Sequence, residues 1–143
     1  MSGLAQLEML AGQKLISPLD VHFAELMGRL SADSSLNLLL AAALTSSAVG
    51  KGDVCLQLES CAGTRLGSPV VCSLPPLAEW KHQLRSSAVV GAPGDFSPLI
   101  LDDHGRLYLQ RYWQYEQSIA QELLRRAATP VEMPDDAQLK QAL

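Results

Sequence analysis

The sequence predicts an α+β fold, in which an N-terminal helical bundle precedes a small β-sheet with a hairpin. Apolar residues recur at helical spacing up to Gly50, and a short alternating stretch follows. Further along, two apolar runs flank a turn and lead into another helical pattern. With 143 residues, 48% of them hydrophobic and 18% charged, the chain can bury one ordinary core.

Spacing and capping signals predict the first two helices. The first helix has its apolar positions at Leu4, Leu7, Ala11 and Leu15. The second begins at Ser17 and Pro18, because Ser17 can cap it and Pro18 suits the first helical position, while Asp20 favours a helix start. We expect its apolar face to consist of Leu19, Phe23, Leu26, Met27 and Leu30.

A third helix is predicted over residues 36–49, after a cap at Asp33 or Ser34, and Gly50 is its natural end. The segment is apolar nearly all round, which is typical of a helix buried against several neighbours. We therefore expect other elements to cover it on most sides.

The middle of the chain predicts short strands and one further helix. The stretch "DVCLQLE" alternates, so it is predicted as a strand with one face formed by Val54, Leu56 and Leu58. Ser60–Pro69 is rich in small turn residues and is predicted to be a mobile loop. Pro75 and Pro76 introduce a helix with an apolar side formed by Leu77, Trp80 and Leu84.

A hairpin and a helix are predicted next. Leu99–Leu101 and Leu107–Leu109 flank "DDHGR", where Gly105 can supply the positive φ of a turn. The following helix carries Tyr112 and Trp113 near its start. This stretch holds aromatic and basic residues but no pattern that is typical of catalysis.

The end of the sequence predicts a domain boundary. The pattern from Pro134 to Leu143 is helical and is cut off while it is still helical. We therefore expect one domain over residues 1–128, and a linker or helix over residues 129–143 that leads to further protein.

Charge and hydropathy limit the classes of partner. The formal charge is −4, the pI is about 5.2, and the 11 Lys and Arg residues are scattered. Nucleic-acid binders usually present a basic face, so we do not expect this chain to bind DNA by itself. No apolar run reaches the roughly 20 residues of a membrane helix. The first residues lack a secretory signal, so we expect a cytoplasmic protein with no membrane partner.

The stretch "AVGKGD" is an incomplete phosphate-binding loop. Gly50 and Lys51 are followed by Gly52 instead of Ser or Thr, and Thr45 stands where such a loop has its first glycine. The stretch also follows a predicted helix rather than a strand. We interpret it as the end of a helix and a turn.

The other residues that could carry chemistry lack the necessary spacing. The three cysteines and three histidines are Cys55, Cys61, Cys72, His22, His82 and His104. None of them has the short spacing of zinc ligands or an adjacent activating group. Asp102 and Asp103 are interpreted as turn residues rather than an acid–base pair. We predict no catalytic, cofactor-binding or metal-binding residue in this segment.

Aromatic and basic residues around the hairpin predict a protein interface. The candidates are Arg106, Tyr108, Arg111, Tyr112 and Tyr115. Trp, Tyr and Arg are enriched at protein interfaces, although such clusters also occur in cores and can stack nucleic-acid bases. The loop Ser60–Pro69 is a second candidate surface.

The element order also leaves a winged-helix-like layout open, and with it the alternative of a DNA-binding module. In that class of protein, the recognition helix carries polar and basic side chains that contact base edges. The third predicted helix has no Lys or Arg before Lys51, so such a layout would lack a DNA-reading face. A small stand-alone enzyme is a third alternative, and the absence of a clustered nucleophile, base or metal set argues against it.

Three stretches in one order are distinctive: "SPLDVHFA", "GKGDVCLQL" and "PLILDDHGRLYLQRYW". Together they resemble the N-terminal region of the RecD family, over about Leu15 to Leu124. RecD is the alpha subunit of exodeoxyribonuclease V, the bacterial RecBCD helicase–nuclease. No one stretch would suffice, whereas three in the family order make the resemblance specific.

The resemblance implies a superfamily 1 helicase that moves 5′ to 3′ on DNA, with ATP and Mg²⁺ bound in motor domains that lie after this region. The family's ATP and DNA residues therefore have no positions here, and no cofactor is expected in this segment. What the resemblance implies instead is docking onto the RecC subunit, with RecB and DNA reached through the parent complex. The process implied is double-strand break repair and DNA degradation.

Overall fold

Six helices and six short strands make up the part of the chain that the computed structural model describes, residues 2–128. The helices are α1 Gly3–Gly12, α2 Pro18–Ser31, α3 Leu36–Gly50, α4 Leu58–Cys61, α5 Leu77–Arg85 and α6 Gln110–Ala128. The strands are β1 Leu56–Gln57, β2 Arg65–Leu66, β3 Cys72–Ser73, β4 Val90–Gly91, β5 Leu99–Leu101 and β6 Arg106–Leu109. The predicted α+β class is confirmed.

The chain divides into two compact units, Met1–Trp113 and Gln114–Leu143. The first unit contains α1 to α5, all six strands and the first residues of α6. The described part of the second unit is the remainder of α6. The predicted linker at residues 129–143 lies outside the described residues, and the domain boundary at residue 128 stays a prediction.

Helix α3 is the centre of the first unit, as its apolar sequence predicts. Nine of its residues are buried: Leu38, Leu39, Leu40, Ala41, Ala42, Ala43, Thr45, Ser47 and Ala48. It packs against α1, α2, α5 and strands β1 and β6. Its N-cap residue is Ser35 rather than Asp33 or Ser34, and the Asp33 carboxylate accepts the backbone N–H of Ser35 at 2.9 Å. The end at Gly50 is confirmed.

Helix α2 begins as predicted, and the face that it buries includes few of its large apolar residues. Ser17 Oγ accepts the backbone N–H of Asp20 at 3.2 Å, and the Asp20 carboxylate accepts the backbone N–H of Ser17 at 2.8 Å, which completes a capping box. The buried residues of α2 are Asp20, Val21, Ala24, Met27 and Gly28. Of the predicted apolar face, only Met27 is buried, while Leu19, Leu26 and Leu30 are exposed. The predicted apolar face therefore lies largely on the surface, with Phe23 half-buried against the core.

The main sheet has the strand order β1-β6-β5-β4, with β4 parallel to β5 and the other pairs antiparallel. The predicted hairpin is confirmed, since Leu99 pairs with Leu109 and Gly105 has a φ of 73°. The predicted strand "DVCLQLE" is shorter than expected. Val54 is exposed, and Leu58 begins α4 instead of extending β1.

Trp80 connects α5 to the centre of the unit. Its side chain is fully buried, and its indole N–H donates to the backbone carbonyl of Asn37 in α3 at 3.0 Å. Leu84 lies on the same side of α5 and is also buried, as predicted. Because its indole N–H is hydrogen-bonded, the buried Trp80 side chain holds α5 against α3.

Candidate protein interface

The described residues include thiols and side chains of the types that ligate metals. Among residues 2–128, no three His, Cys, Asp or Glu side chains are placed to hold a metal ion. Burial raises the pKa of the Cys61 and Cys72 thiols, which keeps them protonated and weakly nucleophilic at neutral pH. Within the same residues, no helix combines the length and the apolar composition that a membrane span requires.

Asp102 holds the hairpin turn together. Its carboxylate accepts the backbone N–H of His104 at 3.0 Å and that of Arg106 at 2.9 Å, and it accepts Nε of Arg106 at 2.7 Å. Burial alone would raise the pKa of Asp102, but the hydrogen bonds from Arg106 and His104 outweigh it and hold the pKa below its usual value. Asp102 is therefore a turn residue, as its sequence context predicts.

Two of the five interface candidates, Arg106 and Tyr108, belong to strand β6 of this hairpin. Tyr108 in β6 is only 3% exposed, so it belongs to the buried interior. This placement corrects the interface prediction for Tyr108 in the chain as folded. Arg106 pairs with Asp102, and its guanidinium carbon lies 5.9 Å from the centre of the Tyr108 ring. Arg106 is thus committed largely to the hairpin.

Two other candidates, Arg111 and Tyr112, lie at the start of α6. The guanidinium carbon of Arg111 is 5.2 Å from the centre of the Tyr112 ring, within the range of a cation–π contact. Arg111 is exposed and Tyr112 is half-buried. Both residues line a groove in the first unit, so the structure places them on a surface that a partner can reach.

The groove lies between the start of α2, the end of α3 and the junction of β6 with α6, and it has a volume of about 640 Å³. Its apolar lining includes Leu15, Ile16, Pro18, Leu19, Val49 and Leu109. Its charged residues are Lys14, Lys51, Arg111 and Asp20. Asp20 is buried and connects α2 to α3. Its carboxylate accepts the hydroxyl of Ser46 in α3 at 2.6 Å and the backbone N–H of Ser17, the N-cap of α2.

An apolar stripe runs along α2 from this groove, and all of its residues are exposed except Phe23, which is half-buried. Leu19, Phe23, Leu26 and Leu30 follow one another at spacings of four, three and four residues, which places them on one helix face. Leu19 is 73% exposed and Leu30 is 58% exposed. We call these four residues the α2 stripe. The sequence predicts these residues as one apolar face of α2 but does not show that most of this face is exposed, although the apolar residues on two sides of the helix indicate a second surface.

The second unit carries the fifth candidate, Tyr115. Tyr115, Ile119 and Leu123 recur every four residues along α6, and all three are exposed. Arg125 and Arg126 both bond to Glu122, with shortest distances of 2.6 and 3.0 Å. The described part of this unit therefore presents an apolar face beside an ion-paired one.

The second predicted surface, Ser60–Pro69, is more structured than the sequence predicts. Arg65–Leu66 forms strand β2, which pairs with β3. The side-chain amide of Gln13 makes two hydrogen bonds to this segment. Its oxygen accepts the backbone N–H of Ser68 at 2.9 Å, and its nitrogen donates to the carbonyl of Pro69 at 3.2 Å. The expectation of a loop is wrong for β2, because its residues pair with β3, and the Gln13 contacts join the end of the segment to the end of α1.

Comparison with known proteins gives one consistent family. Residues 12–108 match the family model described as RecBCD enzyme subunit RecD, N-terminal domain. The proteins named RecBCD enzyme subunit RecD in Mycobacterium tuberculosis (strain ATCC 25618 / H37Rv) and Mycolicibacterium smegmatis (strain ATCC 700084 / mc(2)155) are each 32% identical to the chain. The alignments cover 81% and 78% of this chain but 20% and 19% of those proteins, so the chain spans about a fifth of their length.

Proposed function

The chain belongs to the RecD N-terminal domain family, and we propose that it is a non-catalytic docking domain of a RecBCD-type helicase–nuclease. In this proposal, it attaches the motor part of a RecD subunit to RecC and reaches RecB through the complex. The parent protein would be an ATP-dependent 5′–3′ DNA helicase that acts in double-strand break repair and DNA degradation. ATP, Mg²⁺ and DNA would be bound outside this domain.

The observation that carries the proposal is the α2 stripe. Leu19, Leu26 and Leu30 remain exposed even though the opposite face of α2 is well packed. A contiguous exposed apolar patch on a folded domain is typical of a surface that another protein covers. Burying such leucines supplies roughly 1 kcal/mol or more each, since part of every side chain is already covered.

The hairpin and α6 residues supply further proposed contacts. Arg111 and Tyr112 in the first unit, and Tyr115 in the second, have the residue types that dominate binding energy at interfaces. Each is proposed as an individual contact with a partner subunit. Arg106 is assigned a smaller part, because it already pairs with Asp102.

A DNA-binding winged helix has less support. In that class, a recognition helix enters the major groove with its polar face open. Here α3 is buried on most sides and carries neither Lys nor Arg. Inserting it into DNA would require the core of the first unit to open.

Co-elution with RecC tests the proposal. We expect the chain to co-elute with RecC of the same source organism on size exclusion. Leu26→Glu/Leu30→Glu should weaken binding roughly 30-fold or more, because two leucines that the proposed complex buries would become charged. Val70→Glu/Phe96→Glu is the matched control, since both residues are exposed, lie outside the α2 stripe and change the net charge equally. This control should bind RecC as the unchanged chain does.

Two results would count against the proposal. If neither the chain nor the full-length parent co-elutes with RecC, the docking role is wrong. If Leu26→Glu/Leu30→Glu is folded by circular dichroism and binds RecC normally, the docking surface is not the α2 stripe.

A further inference from the structure

The groove at the start of α2 is a positively charged site on an acidic protein. The chain has a formal charge of −4, yet the groove brings together Lys14, Lys51 and Arg111. These residues come from three separate parts of the chain: just after α1, just after α3 and the start of α6. Lys and Arg are charged at neutral pH, so the groove carries three positive charges from its lining.

The groove lining is positively charged overall, because it holds three basic residues and one acidic residue. Asp20 is the only carboxylate of the lining, and it is 5% exposed. Its oxygens accept the backbone N–H of Ser17 and the hydroxyl of Ser46. Asp20 is thus engaged in joining α2 to α3, and a ligand that enters the groove meets mainly the lysines and Arg111.

The rest of the groove is apolar. Leu15, Leu19 and Leu109 are part of its lining, and Leu19 also begins the α2 stripe. A volume of about 640 Å³ is in the range of sites that bind ligands in proteins. A chain segment bound here would therefore continue onto a surface that the proposed function already assigns to a partner.

From this combination we infer that the groove binds a peptide segment of a partner protein that carries both Asp or Glu and large apolar side chains. The carboxylates pair with Lys14, Lys51 and Arg111, and the apolar side chains cover the leucines. Single-stranded nucleic acid fits less well, because it binds through several stacked aromatic side chains and Tyr112 is the one aromatic residue of the lining. The inference rests on the proposed docking function and specifies the chemistry of one partner segment.

Two matched peptide probes test the inference on the chain alone. One is a short fluorescein-labelled amphipathic helix of Leu and Glu, and the other is its twin with every Glu replaced by Lys. By fluorescence anisotropy at low salt, we expect the acidic probe to bind about tenfold or more tightly than the basic twin. The difference should shrink as salt is added, because the groove cations are exposed and become screened.

Charge reversal locates the binding site. Lys14→Glu/Lys51→Glu should weaken binding of the acidic probe about tenfold. Arg29→Glu/Arg85→Glu is the control, because both arginines are exposed, lie outside the groove and change the net charge equally. Thermal unfolding of both variants checks that each is folded.

Several outcomes would overturn the inference. They are failure of the acidic probe to bind, equal binding of the basic twin, equal losses in the two double variants, and tighter binding of labelled oligothymidine in the same groove. None of these measurements needs another subunit. The probes can therefore fail to bind while co-elution with RecC succeeds, and they can bind while co-elution fails.

Discussion

Asp102 illustrates how a buried carboxylate can stabilise a turn. Its neighbour Asp103 is exposed, whereas Asp102 satisfies two backbone N–H groups and the guanidinium of Arg106. The sequence context "DDHGR" predicts the turn, because Asp commonly bonds to nearby backbone. The sequence does not show which Asp is buried, since that depends on how the hairpin packs.

Asp102→Asn should lower the free energy of unfolding by roughly 1–3 kcal/mol at pH 7, because an amide N–H would face Nε of Arg106. The pKa of Asp102 is lowered in the folded state, so its contribution is present above the unfolded pKa of about 3.9 and is lost as pH falls through the folded value. The gap between variant and parent should therefore close in acid. Urea unfolding at several pH values measures it, with Asp103→Asn as control. A gap that is constant down to strongly acidic pH would contradict this account.

Among the elements, α2 shows what local sequence determines and what it leaves open. Ser17, Pro18 and Asp20 determine where the helix begins, because capping is local. The buried face depends on the neighbouring helix. Gly28 and Ala24 let α2 approach α3 closely, and a Cβ added at Gly28 would lie 3.1 Å from Cδ2 of Leu39. The side of α2 that packs in the core is therefore set by its small residues and by α3, and the size of the apolar side chains alone does not predict it.

The N-cap serines of α2 and α3 provide a matched test of whether the capping bond stabilises α2. Ser17→Ala should cost about 1 kcal/mol of unfolding free energy, because Ser17 Oγ accepts the N–H of Asp20. Ser35→Ala should cost less than about 0.5 kcal/mol, since Ser35 is the N-cap residue of α3 but makes no side-chain cap bond. Chemical denaturation of both variants gives the comparison. Equal costs would mean that the capping box does not stabilise α2 as proposed.

For the whole molecule, the sequence predicts the α+β class, the hairpin and the family more reliably than the surfaces. Local patterns and the order of distinctive stretches carry those predictions. The groove could not be predicted, because Lys14, Lys51 and Arg111 are far apart in sequence and meet only when α1, α3 and α6 are placed. The candidate interface also changes, since Tyr108 is buried and the α2 stripe is exposed.

The central claim is that the α2 stripe is a protein interface that RecC covers. Hydroxyl-radical footprinting with mass spectrometry measures it most directly, because it reports the solvent exposure of individual Leu and Phe side chains. On addition of RecC, we expect labelling of Leu26 and Leu30 to fall several-fold while labelling of Phe96, which is 90% exposed and outside the stripe, stays unchanged. Equal labelling of Leu26 and Leu30 in the isolated chain and in the assembled complex would contradict the claim.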